Sequence, residues 1–309
     1  MSLITVFSES ALKQLLLSMT LYFLLSLEPL YRTELSEASR EITIALQNGT
    51  GNTYTYFISK LISDLGGEVL IAGTIIVAFI WFSRARAFYY IVLMILVNSL
   101  TSIGKIYYHQ PRPYMIYDSV HVNGSCSTDY GHPSGHALTS MAVSVAVMFD
   151  YYASYPSDEL WKKILAGICI PWVPILVGLS RLYNGVHSLD QVFLGWALGV
   201  WTACLAHFIL RDFILEHIDT LLYKNNTVLK SSDYSAFIVL ATCIFSVLIS
   251  SLIAVYQYTD YTFTVPTAWK NRIYSKCNKI VTGDNFQGDS LVTGGFMGLF
   301  LGSYFGVVY

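Results

Sequence analysis

Three short stretches of this chain carry side chains that a hydrophobic polypeptide would avoid unless chemistry required them. Lys105 is followed by Arg112, which stands between Pro111 and Pro113. Pro133, Ser134, Gly135 and His136 form the second stretch, and Ser180, Arg181, His187, Asp190 and Gln191 lie in the third. Lysine and arginine hold anions. A Ser-Gly pair at the start of a helix offers a hydroxyl and free backbone N–H groups to the same kind of ligand. Histidine can attack an electrophile or pass a proton. Three cations, two histidines and a helix N-terminus are the inventory for binding a phosphate and transferring its phosphoryl group. Asp190 follows His187 by about one helical turn, so its carboxylate could hold an imidazole nitrogen.

The elements that must position these residues are membrane helices. The chain of 309 residues is 54% hydrophobic and 12% charged, with a mean hydropathy of +0.51. Soluble domains carry about 25% charged residues, enough to coat a wet surface. The net charge of −2 comes with no basic stripe, so it does not suggest a nucleic-acid partner. Uncharged runs long enough to cross lipid as helices occupy 69–82 (extending back toward Ile58 across Glu68), 87–104, 137–149, 164–179, 192–210, 234–256 and 291–309. Residues 15–27 are shorter and are read as a retained first span, and 32–60 as a polar loop with some helix. Pro171 and Pro174 predict a kink in the fifth of these spans. The glycines of 291–309 predict close helix packing. The expectation is an all-α bundle of about eight spans forming one domain over residues 1–309.

Each cluster alone has an ordinary reading. Lys105 and Arg112 could be interfacial cations with their stems in lipid. His136 could be a surface residue on a plain helix start, and Arg181 and His187 could belong to a short loop. Chain order argues against this. The first cluster ends one span, the second opens the next, and the third joins the following pair. In an up-and-down bundle all three fall on one membrane face.

The three stretches together resemble the superfamily that joins type 2 phosphatidic acid phosphatases, glucose-6-phosphatases and vanadium haloperoxidases. Its pattern is Lys-x6-Arg-Pro, then Pro-Ser-Gly-His, then Ser-Arg-x5-His-x3-Asp. It stands here as Lys105 to Pro113, Pro133 to His136, and Ser180, Arg181 and His187, within a resemblance that runs over residues 58–210. The resemblance implies a phosphatase in which His187 attacks phosphorus and forms a phosphohistidine. His136 would protonate the leaving group and then activate water. Lys105, Arg112, Ser134, Gly135 and Arg181 would hold the phosphoryl oxygens, with no metal or other cofactor. The pattern departs at one place, because its aspartate position is Gln191 and Asp190 comes one residue early. Either residue could orient His187, and the glucose-6-phosphatase branch also carries glutamine there. His109 and His132 receive no role and are read as loop or rim residues.

The substrate favoured is a lipid phosphate or pyrophosphate entering from the bilayer, with a sugar phosphate as the alternative. Residues 126–137 resemble the glucose-6-phosphatase branch, whereas 186–190 resemble sphingosine-phosphate phosphatases. A catalytically silent membrane protein of the same fold and a vanadate-dependent haloperoxidase are weaker readings, because every phosphate-handling residue is retained and haloperoxidases are generally soluble. Cys126 and Cys277 share the site-bearing face and could form a disulfide in an oxidising compartment. Asn48 and Asn123 open glycosylation sequons on that face, while Asn225 opens one on the other. These features predict an endomembrane or plasma-membrane protein with its site lumenal or extracellular.

Overall fold

The computed structural model describes residues 3–123, 126–223 and 231–280, together with Gly302, Tyr304 and Gly306. No strand occurs among the described residues. Backbone groups in lipid must be satisfied within their own segment, and helices do this. The elements are α1 (Leu3–Thr50), α2 (Thr53–Asp64), α3 (Leu70–Val77), α4 (Arg84–Tyr108), α5 (Pro113–Ile116) and α6 (Gly135–Ser154). They continue as α7 (Leu160–Cys169), α8 (Trp172–Tyr183), α9 (Leu189–Leu205), α10 (Asp212–Tyr223), α11 (Ser231–Thr262) and α12 (Thr267–Cys277).

Five described segments are long and apolar enough to cross a membrane, and a sixth is added if α2 and α3 count as one bent span. The bend is 51° and falls at Gly67, whose φ of −97° and ψ of −125° are not helical. The predicted kink near Pro171 and Pro174 is a break, since α7 ends at Cys169 and α8 starts at Trp172. Residues 32–60 depart from the loop expected there, because α1 runs unbroken to Thr50 and α2 starts at Thr53. The polar residues that suggested a loop, Glu34, Glu37, Arg40 and Glu41 among them, have good intrinsic helix propensity, and one flank of this part packs on the bundle. Leu189 N donates to Ser39 Oγ at 3.0 Å, and Gln47 bridges the backbone of His121 and Tyr183. The expected span at 291–309 lies outside the described residues except for Gly302, Tyr304 and Gly306. The Tyr304 ring packs against Phe88 of α4.

The most extensive packing is between α6 and α9, which stand at the centre. Phe88 and Leu93 of α4, Leu138 and Ala142 of α6, and Leu194 and Leu198 of α9 share the main buried cluster. Apolar side chains turned outward, such as Phe23, Trp81 and Phe193, are exposed. In a water-soluble protein that would be a liability, but it suits a lipid-facing surface. At the end of the bundle away from the three clusters, Asp150 of α6 joins Arg86 of α4 and Arg211, between α9 and α10. At the cluster-bearing end, Tyr114, Met115, Val120, Tyr130 and Ile273 form a second apolar core beneath α12. A disulfide between Cys126 and Cys277 ties that cap to the loop ahead of α6.

Candidate active site

The ends of α4, α6, α8 and α9 converge, and each delivers its polar residues for a local reason. Lys105 lies in the last turn of α4, which stops at His109 in a left-handed conformation with φ of 37°. Pro111 and Pro113 keep Arg112 extended, at φ −82° and ψ 153°. Ser134 is the N-cap of α6, so Gly135 and His136 occupy its first turn. Arg181 lies in the last turn of α8, and His187 stands between α8 and α9.

Arg112 is nearly fully buried, and its guanidinium is the hub. Nε donates to the Asp129 carbonyl at 3.2 Å and Nη2 to Asp129 Oδ1 at 2.6 Å. Nη1 donates to the Val186 carbonyl at 3.1 Å and to His187 Nε2 at 2.9 Å. A guanidinium has no acceptor, so His187 Nε2 presents its lone pair and Nδ1 carries the proton. Nδ1–H is directed at the Gly131 carbonyl at 2.9 Å and Gln191 Oε1 at 3.1 Å. His187 is 1% exposed. Burial first, then the charges of Arg112, Arg181 and Lys105, push the imidazole well below its ordinary value, so it is neutral.

Gln191, and not Asp190, is thus the side chain hydrogen-bonded to His187 Nδ1. Ser188 caps α9, and Gln191 is its third residue in a reciprocal capping box. Gln191 Oε1 accepts from Ser188 N at 3.3 Å, while Nε2 donates to the Pro111 carbonyl at 2.8 Å. That frame aims the carboxamide at His187. Asp190 turns elsewhere, and its Oδ2 lies 3.6 Å from His132 Nδ1.

Lys105, Arg112, Arg181, His136 and His187 thus meet in one cluster. The charged neighbours of His136 are Arg181, Lys105, Arg112 and Asp129. Arg181 Nη1 donates to Ser63 Oγ of α2, and its Nε has no hydrogen-bond partner among the described residues. The buried Ser134 hydroxyl likewise has none, while Ser134 N donates to the Gln191 carbonyl at 2.9 Å. Donors without acceptors, gathered around a helix N-terminus, suit an anion.

Two residues near this cluster were not singled out from the sequence. Asp129 bonds both Lys105 and Arg112, so a carboxylate already answers two of the three cations. Burial alone would raise the Asp129 carboxyl, but Arg112 and Lys105 outweigh it and hold it well below the usual carboxylate range. Glu28 of α1 is fully buried and lies 3.0 Å from His132 Nε2. His132 is accordingly not a rim residue, since its relative exposure is 0%. No spacing rule links Glu28 or Asp129 to the motifs, because both reach the site through tertiary contacts. His109 packs its ring on Phe263, with centroids 4.4 Å apart. Of the sequon asparagines, Asn48 is exposed in the last turns of α1, and Asn225 lies outside the described residues. The Asn123 side-chain nitrogen donates to the Tyr56 carbonyl and Asn184 Oδ1, and a glycan there would have to replace one of these two bonds.

Comparison with known proteins bears on the same region. The sequence profile of the PAP2 superfamily matches residues 86–214. An undecaprenyl-diphosphatase of Sulfolobus acidocaldarius is 29% identical over 116 residues, 38% of this chain and 51% of that protein. Phosphatidylglycerophosphatase B of Bacillus subtilis is 30% identical over 89 residues, 28% of this chain and 40% of that protein. A dolichyldiphosphatase of Saccharomyces cerevisiae is 28% identical over 100 residues, 32% of this chain and 41% of that protein. The chain thus spans about half or less of the length of these relatives. A crystal structure described as the first transmembrane PAP2 type phosphatidylglycerolphosphate phosphatase from Bacillus subtilis superposes with a TM-score of 0.50 at 19% identity. It covers 62% of this chain and 93% of that one, and it shows a shared fold.

Proposed function

We propose that this chain, whose residues 86–214 match the PAP2 superfamily, is a phosphatase acting on a lipid phosphate or pyrophosphate through a phosphohistidine on His187. The carrying observation is the state of His187. Its proton is held on Nδ1 by Gly131 and Gln191, and its Nε2 lone pair faces the cation cluster. That is the form an imidazole needs in order to attack.

In this reading Nε2 forms a bond to phosphorus as the bond from phosphorus to the leaving oxygen breaks. His136, which burial and the neighbouring cations hold neutral before substrate binds, takes up a proton with the incoming anionic phosphate, gives it to that oxygen, and then takes one from the water that cleaves the phosphohistidine. Lys105, Arg112 and Arg181 bear the charge that develops on the phosphoryl oxygens, and the Ser134 hydroxyl and Gly135 N–H add neutral donors. The three cations supply the charge that a metal would otherwise bring.

A lipid substrate is favoured by what lies below the cluster. A cavity of about 1060 Å³, almost wholly apolar, is lined by Leu65, Val69 and Leu70 at the bend between α2 and α3. It continues past Val147 and Tyr151 to Tyr155 at the far end of α6. Gly67 at that bend lies against His136, so the cavity starts beside the site. The α6 helix is ~30 Å long at 1.5 Å per residue, about the depth of the hydrocarbon layer. The named activities of the three relatives concern prenyl and glycerol lipids. The disulfide of the cap favours a lumenal or extracellular site. One feature supports the sugar-phosphate alternative: Gln191 stands where the resemblance to the glucose-6-phosphatase branch puts glutamine.

The test is phosphate release by the detergent-purified protein and its His187→Ala variant, without added metal. The substrates are an isoprenyl pyrophosphate, phosphatidic acid, sphingosine-1-phosphate and glucose-6-phosphate. Turnover of a lipid that disappears in the variant is expected. Preference for glucose-6-phosphate would select the alternative, and undiminished release by the variant would overturn the mechanism.

A further inference from the structure

At His132, α1 brings a charged pair into the bundle. Glu28 and Arg32 are bonded to each other one helical turn apart, and Glu28 is fully buried. Glu28 Oε1 lies 3.0 Å from His132 Nε2, and Asp190 Oδ2 of α9 lies 3.6 Å from His132 Nδ1. The His132 ring stands edge-on to Tyr108, at 4.6 Å between centroids, and the Arg32 guanidinium covers the same tyrosine. Tyr31 is the remaining titratable group beside the two carboxylates. Each ring nitrogen thus lies within 4 Å of its own carboxylate, although neither contact has the angle of a hydrogen bond.

The position of His132 in the chain gives this set its consequence. Gly131, immediately before it, supplies the carbonyl that accepts from His187 Nδ1. Ser134, two residues after it, donates its backbone N–H to the Gln191 carbonyl. We propose that Glu28 and Asp190 clamp His132, and that this clamp positions the Gly131 carbonyl and thereby the attacking nitrogen of His187. Glu28, His132 and Asp190 are positioning residues, and α1 completes the site although it lies outside the matched stretch 86–214. The proposal rests on His187 being the nucleophile.

The experiment compares wild type, Glu28→Gln, His132→Gln, the double variant and His187→Ala. The readouts are kcat, KM, the rate of phosphoenzyme formation after alkaline quench, and Tm in detergent, on the best lipid substrate. A displaced reacting group costs up to about 100-fold in rate. Per folded molecule, Glu28→Gln should therefore lower kcat and phosphoenzyme formation by about 10- to 100-fold with KM unchanged. The double variant should be no slower than His132→Gln, because both act through one clamp. A Glu28→Gln enzyme within twofold of wild type overturns the proposal, as does multiplication of the two losses. A fall in kcat matched by loss of folded protein also overturns it, since that marks a staple for α1. If Glu28→Gln does not fold, Asp190→Asn cuts the clamp from the other carboxylate. The same selective loss of kcat is then expected, and a wild-type rate overturns the proposal. Failure of the underlying reading looks different, because His187→Ala would then remain active.

Discussion

At the scale of single residues, the atoms that face His187 set its tautomer and its charge. Its Nδ1 proton is shared by Gly131 and Gln191, and its Nε2 is turned to Arg112. Gln191→Ala should therefore lower kcat by roughly 10- to 100-fold, the scale of a misplaced reacting group, measured as single-turnover phosphate release. Arg112→Ala or Arg181→Ala should cost at least about 100-fold, the scale for losing one transition-state donor. The depressed His187 value also couples to stability. The unfolded imidazole takes up a proton near its ordinary value of about 6.5, while the folded one stays neutral to lower pH. The unfolded state thus binds more protons as pH falls below that value, and stability declines. Thermal melts of the solubilised protein should show Tm falling between pH 7.5 and 5.5. The fall should be shallower in His187→Asn, and an unchanged slope there would contradict a neutral buried His187.

At the scale of elements, the site depends on how closely α6 and α9 approach. A Cβ placed on Gly195 would stand 2.7 Å from the Ser134 carbonyl and 3.2 Å from Leu138 N, and one on Gly199 would stand 2.7 Å from the Leu138 carbonyl. Backbone cannot yield as a side-chain tip can. Gly195→Ala should therefore destabilise the bundle by about 1–3 kcal/mol and displace the first turn of α6. Lower Tm together with lower phosphate release would show it. Gly49 of α1 is the control, since a Cβ there meets nothing within 4 Å, and Gly49→Ala should leave both unchanged. The bend at Gly67 belongs to the same scale, because a Cβ there would meet His136 Nε2 at 2.8 Å.

At the scale of the whole molecule, the cap and the bundle are joined by the bond between Cys126 and Cys277, which are 151 residues apart in sequence. The loop that holds Asp129 and Gly131 runs from Cys126 to α6. Breaking the bond with a reductant should lower both Tm and turnover. A Cys277→Ser variant should start at the lower values and not respond further. An equal response from the variant would place the sensitivity elsewhere.

Composition determined that this chain is a helical membrane protein, because a chain with so few charges cannot coat a wet surface. Motif order placed Lys105, Arg112, Ser134, His136, Arg181 and His187 at one end of the bundle, because successive spans reverse direction. The Ser188-x-x-Gln191 capping box was also legible, and it would have favoured Gln191 over Asp190 as the partner of His187. Adjacent residues on a helix point ~100° apart, so being one residue early sends the carboxylate to a different neighbour. Only the tertiary structure decided that this neighbour is His132, that Glu28 of α1 closes on its other side, and that Asp129 sits between two of the cations. Those contacts join residues 24, 58 and 104 positions apart by sequence number (Lys105 to Asp129, His132 to Asp190, Glu28 to His132). Hydrophobic period and local capping act within a few residues, and a buried ion pair is chosen by the packing that removes its members from water.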